Sequence, residues 1–181
     1  MIFSASNIAW AWSDRLAAYE ILARHDFHGL EIAPSLFFAQ SKSPFLPSDS
    51  DIKQRLNELK GFDLEIVSMQ SVLFGSDEAR LFGSNSQFES FMVAIKNALI
   101  LAGKLGIPNV VFGCPKNRII PDSLSRSEAI GLAAEVFTRI GDLAKEAGTA
   151  VSLEPNPQIY GTNFLNTFKE THKFIETVDH P

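Results

Sequence analysis

Short apolar runs alternate along the chain with longer segments in which apolar residues recur every three or four positions. The runs Ile2–Ala5, Gly29–Ile32, Leu64–Met69, Asn109–Phe112 and Ala150–Leu153 have the length and composition of strands. Such alternation predicts parallel strands joined by crossover helices, five units in all. Runs this short and apolar predict strands buried on both faces.

The longer segments carry helix punctuation. In the third, Phe88, Phe91, Met92, Ile95, Leu99 and Ala102 keep helical spacing, Ser86 and Glu89 read as a capping box, and Gly106 and Pro108 stop the helix. In the fourth, Ser125 and Glu128 make the same box. Ile130, Ala133, Ala134, Phe137 and Ile140 form its stripe, and Gly148 stands where a left-handed cap is wanted. The first helix is predicted at about Asp14–His25 and the second at about Ser50–Lys60. The last, Thr167–Val178, has Thr167 and Glu170 as its cap and Phe168, Thr171, Ile175 and Val178 facing inward. The Ser- and Pro-rich loop Pro34–Asp49 reads as a lid or insertion, and Gly161-Thr162-Asn163 opens a comparable loop.

Two α/β architectures accommodate these units. An open doubly wound sheet would be complete with five, whereas a closed eight-unit (β/α)8 barrel needs roughly 250 residues and would be cut short at 181. Length favours the open sheet. Against it, Ala5-Ser6-Asn7-Ile8-Ala9 stands where a Gly-rich phosphate turn would follow the first strand, and no P-loop signature occurs. Polar residues also recur at the strand ends: Asn7, Glu31, Gln70, Cys114 and Glu154. Only a closed barrel points five successive strand ends at one centre.

Composition narrows the picture. With 45% hydrophobic residues and 15 Phe, the chain holds apolar material for one domain, residues 1–181, and too little length for two. A formal charge of -5 without a long Lys/Arg run lacks the basic footprint that nucleic acid requires. The single cysteine, Cys114, excludes an intrachain disulfide and suits a reducing compartment. No signal peptide is apparent, and nowhere do about 18 apolar residues run together, so the expectation is a cytoplasmic protein with no membrane span.

Gly29-Leu30-Glu31-Ile32 resembles the second-strand motif of the xylose isomerase-like sugar isomerase/epimerase family, and Val151-Ser152-Leu153-Glu154-Pro155-Asn156 resembles its fifth-strand motif. Ser68-Met69-Gln70-Ser71, Lys104-Leu105-Gly106 and Phe112-Gly113-Cys114-Pro115 agree in style, so the resemblance covers essentially the whole chain. It implies a TIM barrel of which about five βα units are present. It also implies a divalent metal (manganese, magnesium or cobalt), with Glu154 as a ligand and as the acid/base beside the substrate. Moving a hydrogen between adjacent sugar carbons needs a carboxylate to take the proton and a charge to stabilise the enediolate. The family's other ligands, an Asp, a His and a second Glu, come from strands six to eight. The chain ends at Val178-Asp179-His180-Pro181, where the family leads into its sixth strand, so a longer natural chain is expected.

Two departures limit the resemblance. The keto-sugar 3-epimerases carry a second acidic residue six positions after the metal glutamate, where this chain has Tyr160, so 3-epimerase activity is not carried over. The related nucleases of abasic DNA use histidines at the ends of the third and fourth strands, where this chain reads Met69-Gln70-Ser71 and Phe112-Gly113-Cys114.

Each candidate has a plainer reading beside the functional one. Glu154 could merely cap a turn, but a carboxylate directly after a buried strand is costly to desolvate without a role. Glu31, inside a strand, either binds substrate or pairs with an internal base. Gln70 and Asn163 could bond sugar hydroxyls or simply satisfy nearby backbone. Trp12, with Trp10, could wall a sugar or pack on a helix. Lys116 and Arg118 could hold a substrate phosphate, although a solvated loop is the plainer account. His25, His28, His172 and His180 read as ordinary, and Cys114 lacks an adjacent His to activate it.

The expectation is a metal-dependent sugar or sugar phosphate isomerase/epimerase, with Glu154 as metal ligand and acid/base and Glu31, Gln70, Asn163 and Trp12 near the substrate. The alternative is a non-catalytic partial barrel that binds a small polyol or a partner chain. Open sheet edges would favour a homo-oligomer in either case.

Overall fold

The computed structural model describes residues 3–181; Met1 and the predicted strand residue Ile2 lie outside the described residues. Five strands, β1 (Ser4–Ser6), β2 (Gly29–Ile32), β3 (Glu65–Met69), β4 (Asn109–Phe112) and β5 (Ala150–Leu153), form one parallel sheet in the order β1-β2-β3-β4-β5. Six α-helices accompany them: α1 (Arg15–Arg24), α2 (Pro34–Phe37), α3 (Asp49–Lys60), α4 (Asn85–Leu105), α5 (Arg126–Ala147) and α6 (Phe168–Val178). The strand order decides between the two architectures. A doubly wound sheet reverses direction at a switch point and carries helices on both faces. Here the order never reverses, and α3 packs on α4, α4 on α5 and α5 on α6 as one continuous layer. This is the winding of a TIM barrel, of which five βα units are present, and the open sheet that length favoured is set aside.

The strands are not buried on both faces, as their composition suggested. Leu30 pairs with Ile66 and Ile32 with Met69, and this row, with Val110 and Phe112, is buried against the helices. The opposite face carries Ser6, Glu31, Ser68, Asn109 and Ser152, with Val111 as an apolar member beside Ser152, and none of these is fully buried. The edge strands are the least covered, β5 alternating between exposed and half-buried along its length. A register shift between Leu30 and Glu31 makes the two rows possible. It leaves Val67 as an extra residue on β3, so Ser68 stands beside Glu31 while Met69 returns to the core. Without that bulge the period-2 alternation would send Ser68 toward the helices.

Local chemistry explains the helix starts. Ser48 with Asp51, Ser84 with Gln87 and Ser125 with Glu128 form capping boxes, and Thr167 caps α6 by accepting from Glu170 N. The box expected at Ser86 and Glu89 therefore lies two residues earlier. Both frames satisfy the motif. What favours the earlier one is Gly83, where an added Cβ would meet Gln87 Oε1 at 2.6 Å, so only glycine lets Gln87 fold back. The inward face of α6 is also displaced: Phe174 and Thr171 are buried, whereas Phe168 is 84% exposed and Ile175 half-exposed. The supposed lid at Pro34–Asp49 opens with α2, whose Phe37, followed by Phe38, is packed into the core.

The many phenylalanines account for the cohesion of the second half. Rings of Phe88, Phe91, Phe112, Phe137, Phe174, Phe164 and Phe82 follow one another with centroids 5.2–6.4 Å apart, mostly edge to face. Such pairs contribute about 0.5–1.5 kcal/mol each beyond burial. The ladder ties α4, α5 and α6 to the C-terminal end of β4, directly under the candidate site.

Candidate functional site

In a parallel barrel the loops after the strands form the binding face, and two polar clusters lie there. The first spans β1 to β3. Ser68 Oγ donates to Glu31 Oε2 (2.8 Å), and Gln70 Nε2 donates to Glu31 Oε1 (2.5 Å) and to Ser6 Oγ (2.8 Å). Glu31 thus pairs with no internal base; its partners are neutral. Ser6 and Ser68 belong to this cluster and were not singled out from the sequence. The register of Ser68 with Glu31 depends on the bulge, which leaves no mark in the sequence, whereas Ser6 faces Glu31 through the regular pairing of β1 and β2.

The second cluster spans β4 and β5. Glu154 follows β5, its backbone N–H donating to Phe112 O (3.1 Å), and its side chain is exposed. Its carboxylate lies over Gly113, where a Cβ would stand 2.5 Å from Oε2. Among the described residues the carboxylate has no ion-pair partner. Cys114 follows Gly113 in a left-handed conformation (φ 41°) that turns the chain into the loop. Burial pushes its thiol up to about 12, so it stays protonated and is no nucleophile.

Arg118 overturns the expectation of a solvated loop. It is 0% exposed, its Nη2 donating to Glu154 O (2.8 Å), Asn156 Oδ1 (2.9 Å) and Leu165 O (3.5 Å). Its guanidinium carbon lies 5.8 Å from the Phe112 ring centroid, and neither Nε nor Nη1 has a partner. Burial lowers the group to about 10, which leaves it charged at neutral pH. The sequence hint was context: Arg118 runs into Ile119-Ile120-Pro121, an apolar stretch unlike a solvated loop. Lys116, by contrast, is exposed.

Two predicted residues stand apart from both clusters. Asn163 uses its amide on the backbone of Ile120, accepting from its N–H (2.7 Å) and donating to its carbonyl (2.9 Å), which ties the loop after β5 to the loop after β4. Trp12 is half-buried on the α1 and α3 side, with Arg15 3.9 Å and Arg55 5.0 Å from its ring centroid. Both arginines are held in turn by Glu58. The four histidines are ordinary, His28, His172 and His180 each lying beside an acidic side chain. A groove of about 620 Å³ runs along the free edge of β5 between α5 and α6, away from Glu154.

The described residues do not by themselves fit a metal. A hard divalent cation takes about six ligands, mostly oxygens and some of them water, and among the described residues no three His, Cys, Asp or Glu side chains converge. No helix among them is long and apolar enough to cross a membrane.

A family model described as a xylose isomerase-like TIM barrel matches residues 19–181, most of the chain. The chain belongs to this family. No curated protein sequence matches it. Among solved structures of xylose isomerase-like folds, it is similar to a D-psicose 3-epimerase from Clostridium cellulolyticum H10 solved with D-tagatose. The TM-score is 0.76 at 18% identity, over 99% of this chain and 61% of that one. A 3-keto-D-glucoside 4-epimerase from E. coli gives 0.72 at 16%, covering 100% and 66%. A family 2 AP endonuclease from Brucella melitensis gives 0.68 at 18%, again covering 100% and 66%. Identities this low show the xylose isomerase-like fold and no more, and the chain spans less than two thirds of these neighbours.

Proposed function

We propose that this chain carries the proton-transfer end of a sugar isomerase or epimerase, with Glu154 as the group that takes and returns the proton. The placement of Glu154 supports the reading most: an exposed carboxylate without an ion-pair partner among the described residues, at the C-terminal end of a barrel strand, above a glycine that leaves it room. The sugar epimerases among the structural neighbours agree with it.

In this reading Glu154 removes the proton from the carbon beside the sugar carbonyl. The C–H electron pair becomes the carbon–carbon double bond, and the carbonyl oxygen takes up the negative charge of an enediolate. Movement of the hydroxyl proton to that oxygen, with return of the carbon-bound proton to the former carbonyl carbon, leaves the neighbouring oxygen as the new carbonyl and isomerises the sugar. Return to the opposite face of the carbon it left epimerises the sugar and needs a second acid. Tyr160, 60% exposed, occupies the position where the 3-epimerases have that acid, so the single-carboxylate route suits this chain. Glu31 and Gln70, with Ser6 and Ser68, offer a row of hydrogen-bonding groups for substrate hydroxyls, while Asn163 and Trp12 serve the scaffold. The divalent cation implied by the family resemblance would take Glu154 as one ligand and need further ligands from outside the described set.

The test is a panel of ketoses and aldoses, free and phosphorylated, incubated with the full-length protein in D2O with and without added manganese. Deuterium should enter at the carbon next to the carbonyl of at least one sugar and depend on Glu154. Failure to exchange any sugar, with the protein folded, would leave the non-catalytic reading in place.

A further inference from the structure

Arg118 is more than the proton-transfer reading requires. The loops after β4 and β5 are already joined by a neutral tie, the paired hydrogen bonds between Asn163 and the Ile120 backbone. A second tie would need only a donor, yet the fold buries a whole guanidinium there at 0% exposure and leaves Nε and Nη1 without partners. Burying a cation without a carboxylate contact is costly, so the charge itself calls for a reason.

Its surroundings supply one. Two of the three acceptors of Nη2 belong to the Glu154–Asn156 turn, and the third, Leu165 O, also accepts the Asn156 backbone N–H (3.1 Å). Gly113 bounds the Glu154 carboxylate from the β4 side, and Asn156 Oδ1 lies 3.6 Å from the Cβ that Gly113 lacks. Phe112, fixed by the aromatic ladder, backs the guanidinium.

We propose that Arg118 is the positioning residue of Glu154: it fixes the Glu154–Asn156 turn, which carries the carboxylate, through the Glu154 carbonyl and the Asn156 amide. It touches no substrate and acts only through Glu154, so the inference rests on the proton-transfer reading of that residue.

The test compares Arg118→Met, Arg118→Lys and Glu154→Gln in the full-length protein, using kcat and KM for proton exchange and the thermal midpoint. Arg118→Met should lower kcat about 10- to 100-fold through loss of alignment while KM stays within about twofold. Arg118→Lys, which returns the charge and a donor, should recover most of that loss. If Arg118→Met does not fold, Asn156→Ala removes one tether and keeps the arginine, and should lower kcat about fivefold at constant KM. An unchanged kcat in these variants, or equal losses for Met and Lys that follow the fall in thermal midpoint, would overturn the inference while Glu154→Gln remains inactive. Retained exchange in Glu154→Gln would instead remove the reading on which it rests.

Discussion

Glu31 and Glu154 occupy equivalent places, each at the C-terminal half of a barrel strand or just beyond it, but their surroundings differ. Glu31 lies on β2, flanked by β1 and β3, and both of its oxygens are engaged by neutral donors, Ser68 and Gln70. Glu154 follows the edge strand β5; its backbone is held on both sides, by Phe112 and Arg118, and its side chain is exposed. A carboxylate already engaged by two donors is fixed in aim and poorly placed to exchange protons. One whose backbone is clamped and whose oxygens are open is oriented and available. Position along a strand alone does not separate an acid already held by neighbouring donors from one left open; the disposition of hydrogen bonds does.

The largest expected effect comes from removing the reactive partner in this comparison. Glu154→Gln should lower the rate of proton exchange by about 10²–10⁴-fold, the usual contribution of a general acid or base. Its stability should stay within about 0.5 kcal/mol, as for an exposed substitution, when both are measured on one preparation. Gly113→Ala tests the space above it. The added methyl would stand 2.5 Å from Glu154 Oε2 and should reduce exchange about 10- to 100-fold by displacing the carboxylate. The converse experiment is Glu31→Leu, which strands the Ser68 hydroxyl and leaves the Gln70 amide with Ser6 as its one partner. It should cost about 1–3 kcal/mol in chemical denaturation and affect stability before chemistry.

The smallest effect concerns a third carboxylate, Glu128, which lies fully exposed at the start of α5. The Ser125 hydroxyl, and then the Ser125 backbone N–H, hold it below its ordinary value. A carboxylate depressed by folding contributes stability above its unfolded pKa and loses it as pH falls through the folded value. Glu128→Gln should therefore lower neutral stability slightly and converge on the wild type at low pH, which flattens the acid side of the stability curve. Thermal midpoints between about pH 3 and 7 would show it.

Much of the fold was legible because its signals are local. The runs Gly29–Ile32, Asn109–Phe112 and Ala150–Leu153 are strands at their expected limits, and the Ser125–Glu128 box and Gly148 cap begin and end α5 as read. Two of the misreadings depended on contacts distant in sequence, and one on a neighbour four residues away. The Ser84 frame required Gly83 to clear Gln87, the polar inner row required a bulge at Val67, and the burial of Arg118 required the turn after β5 to close over it. The position of Glu154 could be read from Val151-Ser152-Leu153-Glu154-Pro155-Asn156, but its contrast with Glu31 could not, since Ser68 and Gln70 lie nearly forty residues from Glu31 in the chain.

The most direct test places the two glutamates side by side. Deuterium wash-in from D2O would be followed by proton NMR for the wild type, Glu154→Gln and Glu31→Gln, on whichever sugar the panel identifies. The account predicts that Glu154→Gln abolishes wash-in in a folded protein while Glu31→Gln retains it within about tenfold, having lost only part of its hydrogen bonding. Wash-in that survives in Glu154→Gln and disappears in Glu31→Gln would contradict the account and move the chemistry to the other end of the sheet.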